Sequence, residues 1–345
     1  MARPGPASSP LHRPVLLGVD GGGTHTRALV ADASGSVLGR GESGTSNQAT
    51  VGSGAAGLGI EHAVHAALAS AGVGPADVDG ACFGLAGLDR PQDERAFRPA
   101  VDGLGLGGPT AVVNDAVNAW AGATGGKPGI AVTAGTGSVA YGRSSDGREA
   151  RAGGWGAPFG DEGSAYWIAC EALRAVLRGV DGREPPSGLA RGLARAAGFT
   201  DPADLCLLAR ADRTASGVPL EAAIGALAPA VVAGAEAGDP VAGAILDRAA
   251  EELAQLALAI AGAIGAADRP PPVFGLGSVL LPSSPGGPAT PVGRRVDALL
   301  RARTGGGLRP PDHSAVVGAV ILAWERARPG LPPPAGIASA WGRGA

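Results

Sequence analysis

One arrangement of predicted strands and turns occurs twice in this chain, and any fold must accommodate both copies. In each copy an apolar run enters a turn of glycine and hydroxyl residues, a second run follows, and a short polar turn leads into a third run. Strands joined by such short turns pair antiparallel. The predicted strands lie at 15–19, 27–31 and 37–40 in the first copy, and at 130–133, 139–143 and 148–151 in the second. The repetition predicts two related domains, with chance similarity between two hairpins as the alternative.

Alternating helices and strands after the first copy indicate an α/β fold. Most of the chain after Trp155 has helical periodicity, apart from an apolar strand at Val273-Phe274. The predicted helices are 55–71, 91–101, 116–123, 162–177, 188–197, 202–209, 220–235, 240–267, 292–302 and 315–326, and the alternating region adds strands at 79–85 and 111–113. We therefore predict an α/β protein of two domains.

Composition limits the function classes. A length of 345 residues suffices for two domains, and the net charge of -3 gives no electrostatic basis for binding nucleic acid or an anionic membrane. Lys127 is the only lysine, so a bound phosphate must be met by backbone N–H groups, hydroxyls, arginine or a metal. The three cysteines form no C-x-x-C pair, which fits a reducing compartment and predicts a cytoplasmic protein. The most apolar predicted helical stretch, 253–267, is too short to span a bilayer.

The domain boundaries follow from the repeat and from the two ends of the chain. Residues 1–13 are rich in Pro and Ser without an apolar core, so we expect a disordered leader and not a signal peptide. Residues 329–345 are rich in Pro and Gly, so we expect a loose tail. The predicted N-terminal lobe is 14–118 plus 313–328, and the predicted C-terminal lobe is 119–312.

Three apolar strands run into glycine turns, at Gly21, Gly135 and Gly275. The first turn combines Asp20, which can hold a cation, with glycines and threonine hydroxyls suited to phosphate. Each turn alone could be an ordinary hairpin, but three together suggest one nucleotide held from several sides. No Walker A loop is present, since the segment 122–128 has the wrong spacing and Pro128 replaces the required hydroxyl. The segment 135–140 matches the dinucleotide pattern but opens a strand, which argues against a Rossmann domain.

Asp115 follows a short apolar strand and precedes a helix. In a parallel sheet, ligands collect at the carboxyl ends of strands, so Asp115 could act as a general base for a hydroxyl. The alternative is a helix N-cap, a task that Asn114 can equally perform.

The segment 153–167 reads Gly-Gly-Trp-Gly-Ala-Pro-Phe-Gly-Asp-Glu-Gly-Ser-Ala-Tyr-Trp. Its polar groups beside aromatic rings suit a sugar, which has hydroxyls and apolar ring faces. The alternative for Asp161 and Glu162 is capping of the helix that follows.

This segment resembles the signature of the N-acetylglucosamine kinase family. The turn 20–26, Thr45-Ser46-Asn47, Asn114-Asp115-Ala116 and the turn 134–138 match the same family in order. The resemblance extends over most of residues 15–326. The Gly-Asp-Glu-Gly-Ser-Ala-Tyr-Trp match is specific, whereas the glycine turns are shared by the whole actin/Hsp70/hexokinase-type superfamily.

The resemblance implies a duplicated, ribonuclease-H-like (actin-like ATPase) fold with ATP in an interdomain cleft. Asp20 would organise Mg²⁺. The first two glycine turns would cradle the phosphates, and the third would approach the adenosine. The implied ATP-binding residues are Gly22, Gly23, Thr24, Thr136, Gly137, Ser138, Gly275 and Gly277.

The resemblance also implies phosphorylation of the 6-hydroxyl of an amino sugar and a homodimeric enzyme. Asp115 would remove the proton from that hydroxyl. The residues that would hold the sugar are Asn47, Asp115, Gly154, Trp155 and Asp161. N-acetylglucosamine is the first choice of substrate, although Leu85-Ala86-Gly87 stands where relatives tend to offer a hydroxyl. Glucosamine and N-acetylmuramate therefore stay open.

Two other functions are compatible with the superfamily. One is an ATPase activator of the 2-hydroxyacyl-CoA dehydratase type, which needs cysteines around an iron–sulfur cluster. Cys82, Cys170 and Cys206 lack the Cys-Ala-Ala-Gly-Thr-Gly context of that class. The other is a nucleotide-binding regulator without catalysis, against which the presence of Asp115 and Asp161 argues.

Overall fold

The computed structural model describes residues 14–210, 218–282, 287 and 289–333. The predicted leader and the part of the predicted tail beyond residue 333 lie outside the described residues. The chain divides into two compact units. Unit 1 contains the described residues up to Gly126 together with those from His313 onward, and unit 2 is Lys127–Asp312.

Ten β-strands are found within the described residues. They are β1 (Val15–Gly21), β2 (Thr26–Asp32), β3 (Val37–Ser43), β4 (Gly80–Leu85), β5 (Thr110–Asn114), β6 (Gly129–Ala134), β7 (Ser138–Arg143), β8 (Glu149–Gly153), β9 (Val273–Leu276) and β10 (Leu308–Arg309). They form one five-stranded sheet in each unit.

The described residues also contain eleven α-helices and two 3₁₀ segments, the latter at Pro75–Asp77 and Pro202–Arg210. The helices are α1 (Gln48–Val51), α2 (Ser53–Ala71), α3 (Pro91–Asp102), α4 (Asp115–Thr124), α5 (Ala165–Val180), α6 (Leu189–Ala196), α7 (Leu220–Gly225), α8 (Ala228–Glu236), α9 (Pro240–Ala263), α10 (Pro291–Thr304) and α11 (Ala315–Ala327). No single helix among the described residues is long and apolar enough to cross a membrane; taken together, the stretches Leu220–Glu236 and Pro240–Ala263, bent by 118°, satisfy length and composition.

The two sheets have the same topology. The strand order is β3-β2-β1-β4-β5 in unit 1 and β8-β7-β6-β9-β10 in unit 2. In both sheets the central strand, β1 or β6, pairs antiparallel with its neighbour on one side and parallel with its neighbour on the other. The two outer pairings continue the same pattern, so each sheet has an antiparallel half and a parallel half. The repeated unit in the sequence is therefore a repeated domain, as predicted, and chance similarity between two hairpins is excluded.

The structure differs from the predicted helices in the second half of the chain. The helix predicted at 220–235 is two helices, α7 and α8, because Pro229 starts a new helix at its first turn. The helix predicted from residue 162 begins at Ala165, and the one predicted to residue 267 ends at Ala263. The predicted helix 202–209 is a 3₁₀ segment. The short elements α1 and β10 were not predicted.

Helix α11 completes unit 1 from the far end of the chain. It packs against β1, β4 and α4, and its apolar residues from Val317 to Trp324 are buried. The contact with β1 is close, since a Cβ on Gly18 would lie 2.6 Å from the backbone nitrogen of Val320. The segment entering α11 is fixed to α4, because the backbone N–H of His313 donates to Gly122 O at 3.0 Å.

Asp239 stabilises unit 2 at the start of α9. Its carboxylate accepts four hydrogen bonds, from Val241 N, Ala242 N, Leu189 N and Ser187 Oγ. Burial alone would raise the pKa of Asp239, but these hydrogen bonds outweigh burial and lower the pKa below its ordinary value.

We expect Asp239→Ala to lower the free energy of unfolding by about 2 kcal/mol at pH 7, since it removes a helix cap and two further contacts. Because the folded-state pKa is lowered, this contribution is present above the ordinary carboxyl pKa and is lost as the pH falls through the folded-state value. Urea unfolding at pH 7 and pH 3 measures the difference. Asp201→Ala is the control, because Asp201 accepts one such bond, from Ala203 N. Equal losses in the two variants would contradict the assignment.

Candidate active site

The turn between β1 and β2 presents polar groups to solvent. Gly22 N donates to His25 O at 2.9 Å, which closes the turn, and Gly23 and Thr24 are exposed. The Thr45 hydroxyl donates to Gly22 O at 3.2 Å and so links the loop after β3 to the turn. Gly23 and Thr24 are therefore accessible to a ligand, on a turn that the hydrogen bonds of Gly22 to His25 and Thr45 hold in shape.

Asn47 lies beside the same turn. Its backbone N–H donates to Thr45 Oγ1 at 3.1 Å. Its side chain also lies close to the end of β4, since a Cβ on Gly87 would lie 3.1 Å from Asn47 Oδ1. The loop after β3 thus places Asn47 between the first glycine turn and the segment that follows β4.

Asp115 is the first residue of α4, and its neighbour caps the helix. Asn114 Oδ1 accepts from Ala116 N at 3.0 Å, and Asn114 Nδ2 donates to Leu88 O at 3.1 Å. The alternative reading of Asp115 as the N-cap is therefore excluded. Its carboxylate lies in the first helical turn at the carboxyl end of β5, where helix N–H groups favour negative charge.

The carboxylates of Asp20 and Asp115 are electrostatic neighbours. Burial raises the pKa of Asp20 most, and repulsion from Asp115 raises it further, to about 7. Arg27 and a hydrogen bond from Asn118 oppose this rise. Two adjacent carboxylates on neighbouring elements fit a divalent cation, which would neutralise their repulsion.

The donor set fits magnesium better than a metal held by protein ligands alone. In the part of the chain that the structure describes, no group of three or more His, Cys, Asp or Glu side chains could hold a metal ion. Mg²⁺ commonly binds through one or two carboxylates and completes its shell with water and substrate phosphates. Asp20 can be that carboxylate, which leaves Asp115 beside it for a second role.

A cavity of about 420 Å³ opens next to Asp20 within unit 1. It lies between the β2–β3 hairpin and the first turn of α11. Its lining includes Arg27 and Arg40 together with Glu42 and Ser314. Arg27 is ion-paired with Glu42 at 3.6 Å, so the two arginines and the two acidic residues of the lining balance in charge.

In unit 2 the equivalent turn, between β6 and β7, is fixed by Asp161. Ser138 N donates to Asp161 Oδ1 at 3.2 Å, and a Cβ on Gly137 would lie 2.8 Å from Asp161 Oδ2. Burial raises the pKa of Asp161, against the opposing hydrogen bond from Ser138. The glycine at position 137 is therefore required by the carboxylate that packs on it.

The start of α5 is attached to the same turn. Ala165 N donates to Gly135 O at 2.9 Å, and Tyr166 N donates to Thr136 O at 3.4 Å. Ser164 caps the helix, accepting from Trp167 N at 3.2 Å. The capping alternative for Asp161 and Glu162 is therefore wrong.

Trp155 projects from a glycine-rich loop in unit 2. The loop is anchored by Gly154 N, which donates to Ser138 O at 2.8 Å, and by Arg151 Nη2, which donates to Gly154 O at 2.9 Å. Trp155 and Phe159 are 81% and 90% exposed. Exposed aromatic residues on an anchored loop are a ready apolar surface for a ligand.

The third glycine turn adjoins the second. Gly277 has φ of +85°, and a Cβ there would lie 2.3 Å from Ala134 O at the end of β6. Val279 N donates to that same carbonyl oxygen at 3.1 Å. Gly275 differs, because a Cβ there would meet the side chain of Leu308, so packing accounts for a glycine at this position.

The predicted site residues thus form two groups, one within each unit. Unit 1 brings together Asp20, Asn47, Asp115 and the turn 22–24, and unit 2 brings together the turn 136–138, Gly154, Trp155, Asp161 and Gly277. Asn118, a fully buried amide beside Asp20, was not predicted as a site residue. The available signal was a polar amide three residues after Asp115, in a helix whose residues between Asp115 and Thr124 are otherwise apolar or glycine.

Comparison with known proteins finds relatives among sugar kinases. The chain is 36% identical over 168 residues to the N-acetylmuramic acid/N-acetylglucosamine kinase of Clostridium acetobutylicum, a match that covers 49% of this chain and 55% of that protein, so about half its length. It is 31% identical over 255 residues to the N-acetyl-D-glucosamine kinase of Dictyostelium discoideum, which covers 71% of this chain and 79% of that protein.

A solved structure from Chromobacterium violaceum, named as a candidate N-acetylglucosamine kinase, is 28% identical with a TM-score of 0.69. The match covers 90% of this chain and 99% of that chain. A second structure, from Porphyromonas gingivalis, has a TM-score of 0.65 at 18% identity, covers 92% of this chain and 100% of that chain, and shows the fold alone. With the shared sheet topology, these likenesses confirm two ribonuclease-H-like domains.

The family model named BadF/BadG/BcrA/BcrD ATPase family matches residues 17–323, which include every predicted site residue. This chain belongs to the BadF/BadG/BcrA/BcrD ATPase family.

Proposed function

We propose that this protein is an ATP-dependent kinase that phosphorylates the 6-hydroxyl of an amino sugar, with N-acetylglucosamine as the first choice of substrate. The observation that carries the proposal is the pair of neighbouring carboxylates, Asp20 beside a glycine turn and Asp115 at the first turn of α4. One carboxylate can hold the metal of a nucleotide while the other accepts a proton. The names of the sugar kinase relatives support the same reaction.

In the proposed reaction Asp115 is the general base. It accepts the proton of the sugar hydroxyl while that oxygen attacks the γ-phosphorus, and the bond from phosphorus to the β-phosphate bridging oxygen breaks to release ADP. Phosphoryl transfer requires mainly positioning and charge neutralisation, which these residues can provide. When bound at Asp20, Mg²⁺ would neutralise charge on the transferred group.

The proposal gives the two turns the same task. Gly23 and Thr24 in unit 1, and Thr136 and Gly137 in unit 2, bind the phosphates through backbone N–H groups and hydroxyls. Gly22 and Ser138 shape the two turns instead, because the N–H of Gly22 donates to His25 O, and the N–H and hydroxyl of the buried Ser138 donate to Asp161 and to Glu162 O. The third glycine turn, with Gly275 and Gly277, lies close to the adenosine of the bound ATP. The exposure of Gly23 and Thr24 supports this role.

The proposal gives the sugar polar contacts with Asn47, Asp115, Gly154 and Asp161, and an apolar contact with Trp155. The exposed ring of Trp155 supports stacking on a sugar ring. Asp161 has a second task, since one of its oxygens already accepts from the backbone of the phosphate-binding turn. In the proposed site, Asp161 therefore contacts the sugar and at the same time holds the backbone of the phosphate-binding turn.

We further propose that the enzyme is a cytoplasmic homodimer. Three free cysteines, with Cys82 buried, suit a reducing compartment. The dimer rests on the family resemblance, and light scattering from the purified chain tests it.

A sugar panel tests the proposed function. The panel contains N-acetylglucosamine, glucosamine, N-acetylmuramate and glucose. We expect the protein to release ADP from ATP only when both Mg²⁺ and a sugar are present. The rate for an amino sugar should exceed that for glucose by at least about 10-fold, a difference of roughly 1.4 kcal/mol. A 6-deoxy sugar, which lacks the acceptor hydroxyl, is the matched control and should give only background release. ADP release independent of any sugar would favour a regulator or an activator ATPase instead.

A further inference from the structure

Asn118 is a buried polar residue that no part of the proposed reaction yet uses. It lies in α4, and its side chain is fully buried. A buried amide costs free energy unless its donors and acceptors are satisfied. Its partners therefore show what the residue does.

The amide group of Asn118 contacts the end of β1 and its neighbour β4. Its Nδ2 donates to Val19 O at 3.0 Å, the carbonyl of the residue before Asp20, and the amide lies beside Asp20, whose pKa it lowers. Its Oδ1 lies 3.8 Å from Sγ of Cys82, within reach of a weak thiol hydrogen bond. One side chain thus joins a helix to two strands of the sheet at the position of Asp20.

The sheet leaves room for this amide at one position. Gly84 is the partner of Asp20 in the parallel pairing of β1 and β4. A Cβ on Gly84 would lie 1.8 Å from Asn118 Nδ2 and 2.0 Å from its Cγ. Any side chain at position 84 would displace the amide, so the glycine and the asparagine form a matched pair across the helix–sheet contact.

Asn118 also lies on the same helix face as Asp115. Residues three apart in an α-helix are neighbours on its surface. Asp115 and Asn118 have this spacing, so the helix that carries the proposed base is attached to the sheet one turn further on, beside the proposed metal ligand.

We propose that Asn118 is a positioning residue for phosphoryl transfer, which fixes the Asp20 carboxylate and the base-bearing helix α4 in register with each other. This inference rests on the proposed function. Asn118 touches neither substrate, and it acts by holding Asp20 in place for the Mg²⁺–nucleotide complex and by keeping Asp115 at a constant distance from it. A purely structural amide would stabilise the fold and leave these two tasks unaffected.

The test replaces Asn118 with leucine, which has the same number of side-chain heavy atoms, a somewhat larger volume and no hydrogen-bonding group. We expect Asn118→Leu to lower kcat by about 10-fold or more while the KM for the sugar changes less than about 3-fold, since misplacement of the reacting groups affects the transition state more than sugar binding. A second readout needs no turnover. Calorimetry should show that Mg²⁺ strengthens ADP binding in the parent protein and does so at least about 5-fold less in the variant.

Thr124→Val is the matched control. Thr124 is also buried in α4, and its hydroxyl donates to Trp120 O at 2.9 Å within the helix, away from Asp20. We expect Thr124→Val to lower the melting temperature while leaving kcat and the effect of Mg²⁺ on ADP binding unchanged. The inference is overturned when a folded Asn118→Leu protein behaves as Thr124→Val does in both kinetics and ADP binding.

Asn118→Ser covers the case in which the leucine variant does not fold. Its hydroxyl is too short to contact both Val19 and Asp20, so it should lose the effect of Mg²⁺ on ADP binding in part, and retention of the full effect would overturn the inference. The two proposals fail in different ways. A parent protein without sugar-dependent turnover contradicts the kinase, whereas the ADP measurement tests Asn118 in any ATPase of this family.

Discussion

Asp115→Asn is expected to lower kcat by about 100-fold or more, because an amide cannot accept the proton of the sugar hydroxyl. The KM for the sugar should change little, since asparagine has nearly the same shape and can still hydrogen-bond a hydroxyl. Asn114 caps α4 independently, so the variant should keep its melting temperature. Steady-state kinetics with N-acetylglucosamine and a thermal melt measure both effects.

Asp102→Asn is the control for the change of charge. Asp102 is also in unit 1, at the end of α3, with a side chain 68% exposed and a weak ion pair to Arg98 at 4.0 Å. We expect its kcat to be within about 2-fold of the parent, as is usual for an exposed surface charge. Near-normal turnover in Asp115→Asn, or an equal loss in both variants, would remove Asp115 from the role of base.

Gly277→Ala should have the largest effect on stability. At a φ of +85° any side chain is strained, which costs about 1 kcal/mol, and here a Cβ would also lie 2.3 Å from Ala134 O. The backbone of the third turn must shift, so we expect a loss of about 3 kcal/mol or more in the free energy of unfolding. Affinity for ATP should fall with it, because the same shift moves the turn beside Gly135.

Gly238→Ala is the control that separates backbone strain from the steric clash with Ala134 O. Gly238 has a φ of +87°, and a Cβ there would meet nothing within 4 Å. This variant therefore has the backbone strain without the clash, and we expect a loss of about 1 kcal/mol with unchanged ATP binding. Urea unfolding and calorimetry with ATP compare the pair. If the two variants lose the same stability, the close approach to Ala134 has no energetic weight.

The positions of all the strands except β10 could be predicted, because each one is a short apolar run bounded by turn residues. The repeated hairpins gave the antiparallel strands, and the duplication followed from the similarity of the two copies. The division of the helix predicted at 220–235 was missed although its signal is in the sequence, because proline is disfavoured in a helix interior and Pro229 marks the first turn of a second helix. Strand β10 is two residues long, and it is defined by its pairing with β9, a tertiary contact that no local pattern contains.

The candidate site was predicted in part. Turn glycines and acidic residues at strand ends are visible in the sequence, so Asp20 and Asp115 could be named. Their closeness could not be predicted, because it depends on the folded unit, in which Asp115 raises the pKa of Asp20. The hydrogen bond from the backbone N–H of Ser138 to the Asp161 carboxylate could not be predicted, because it joins residues 23 positions apart in the chain. Asn118 was missed for a similar reason, since its partners lie on β1 and β4.

The late position of α11 in the chain bears on synthesis at the ribosome. Unit 2 is one continuous stretch and can fold as soon as it has emerged. Unit 1 cannot, because the face of its sheet that α11 covers stays bare until the whole of unit 2 has been translated. The nascent chain therefore carries an exposed apolar surface for most of its synthesis, a state in which chains of this size tend to aggregate and depend on chaperones.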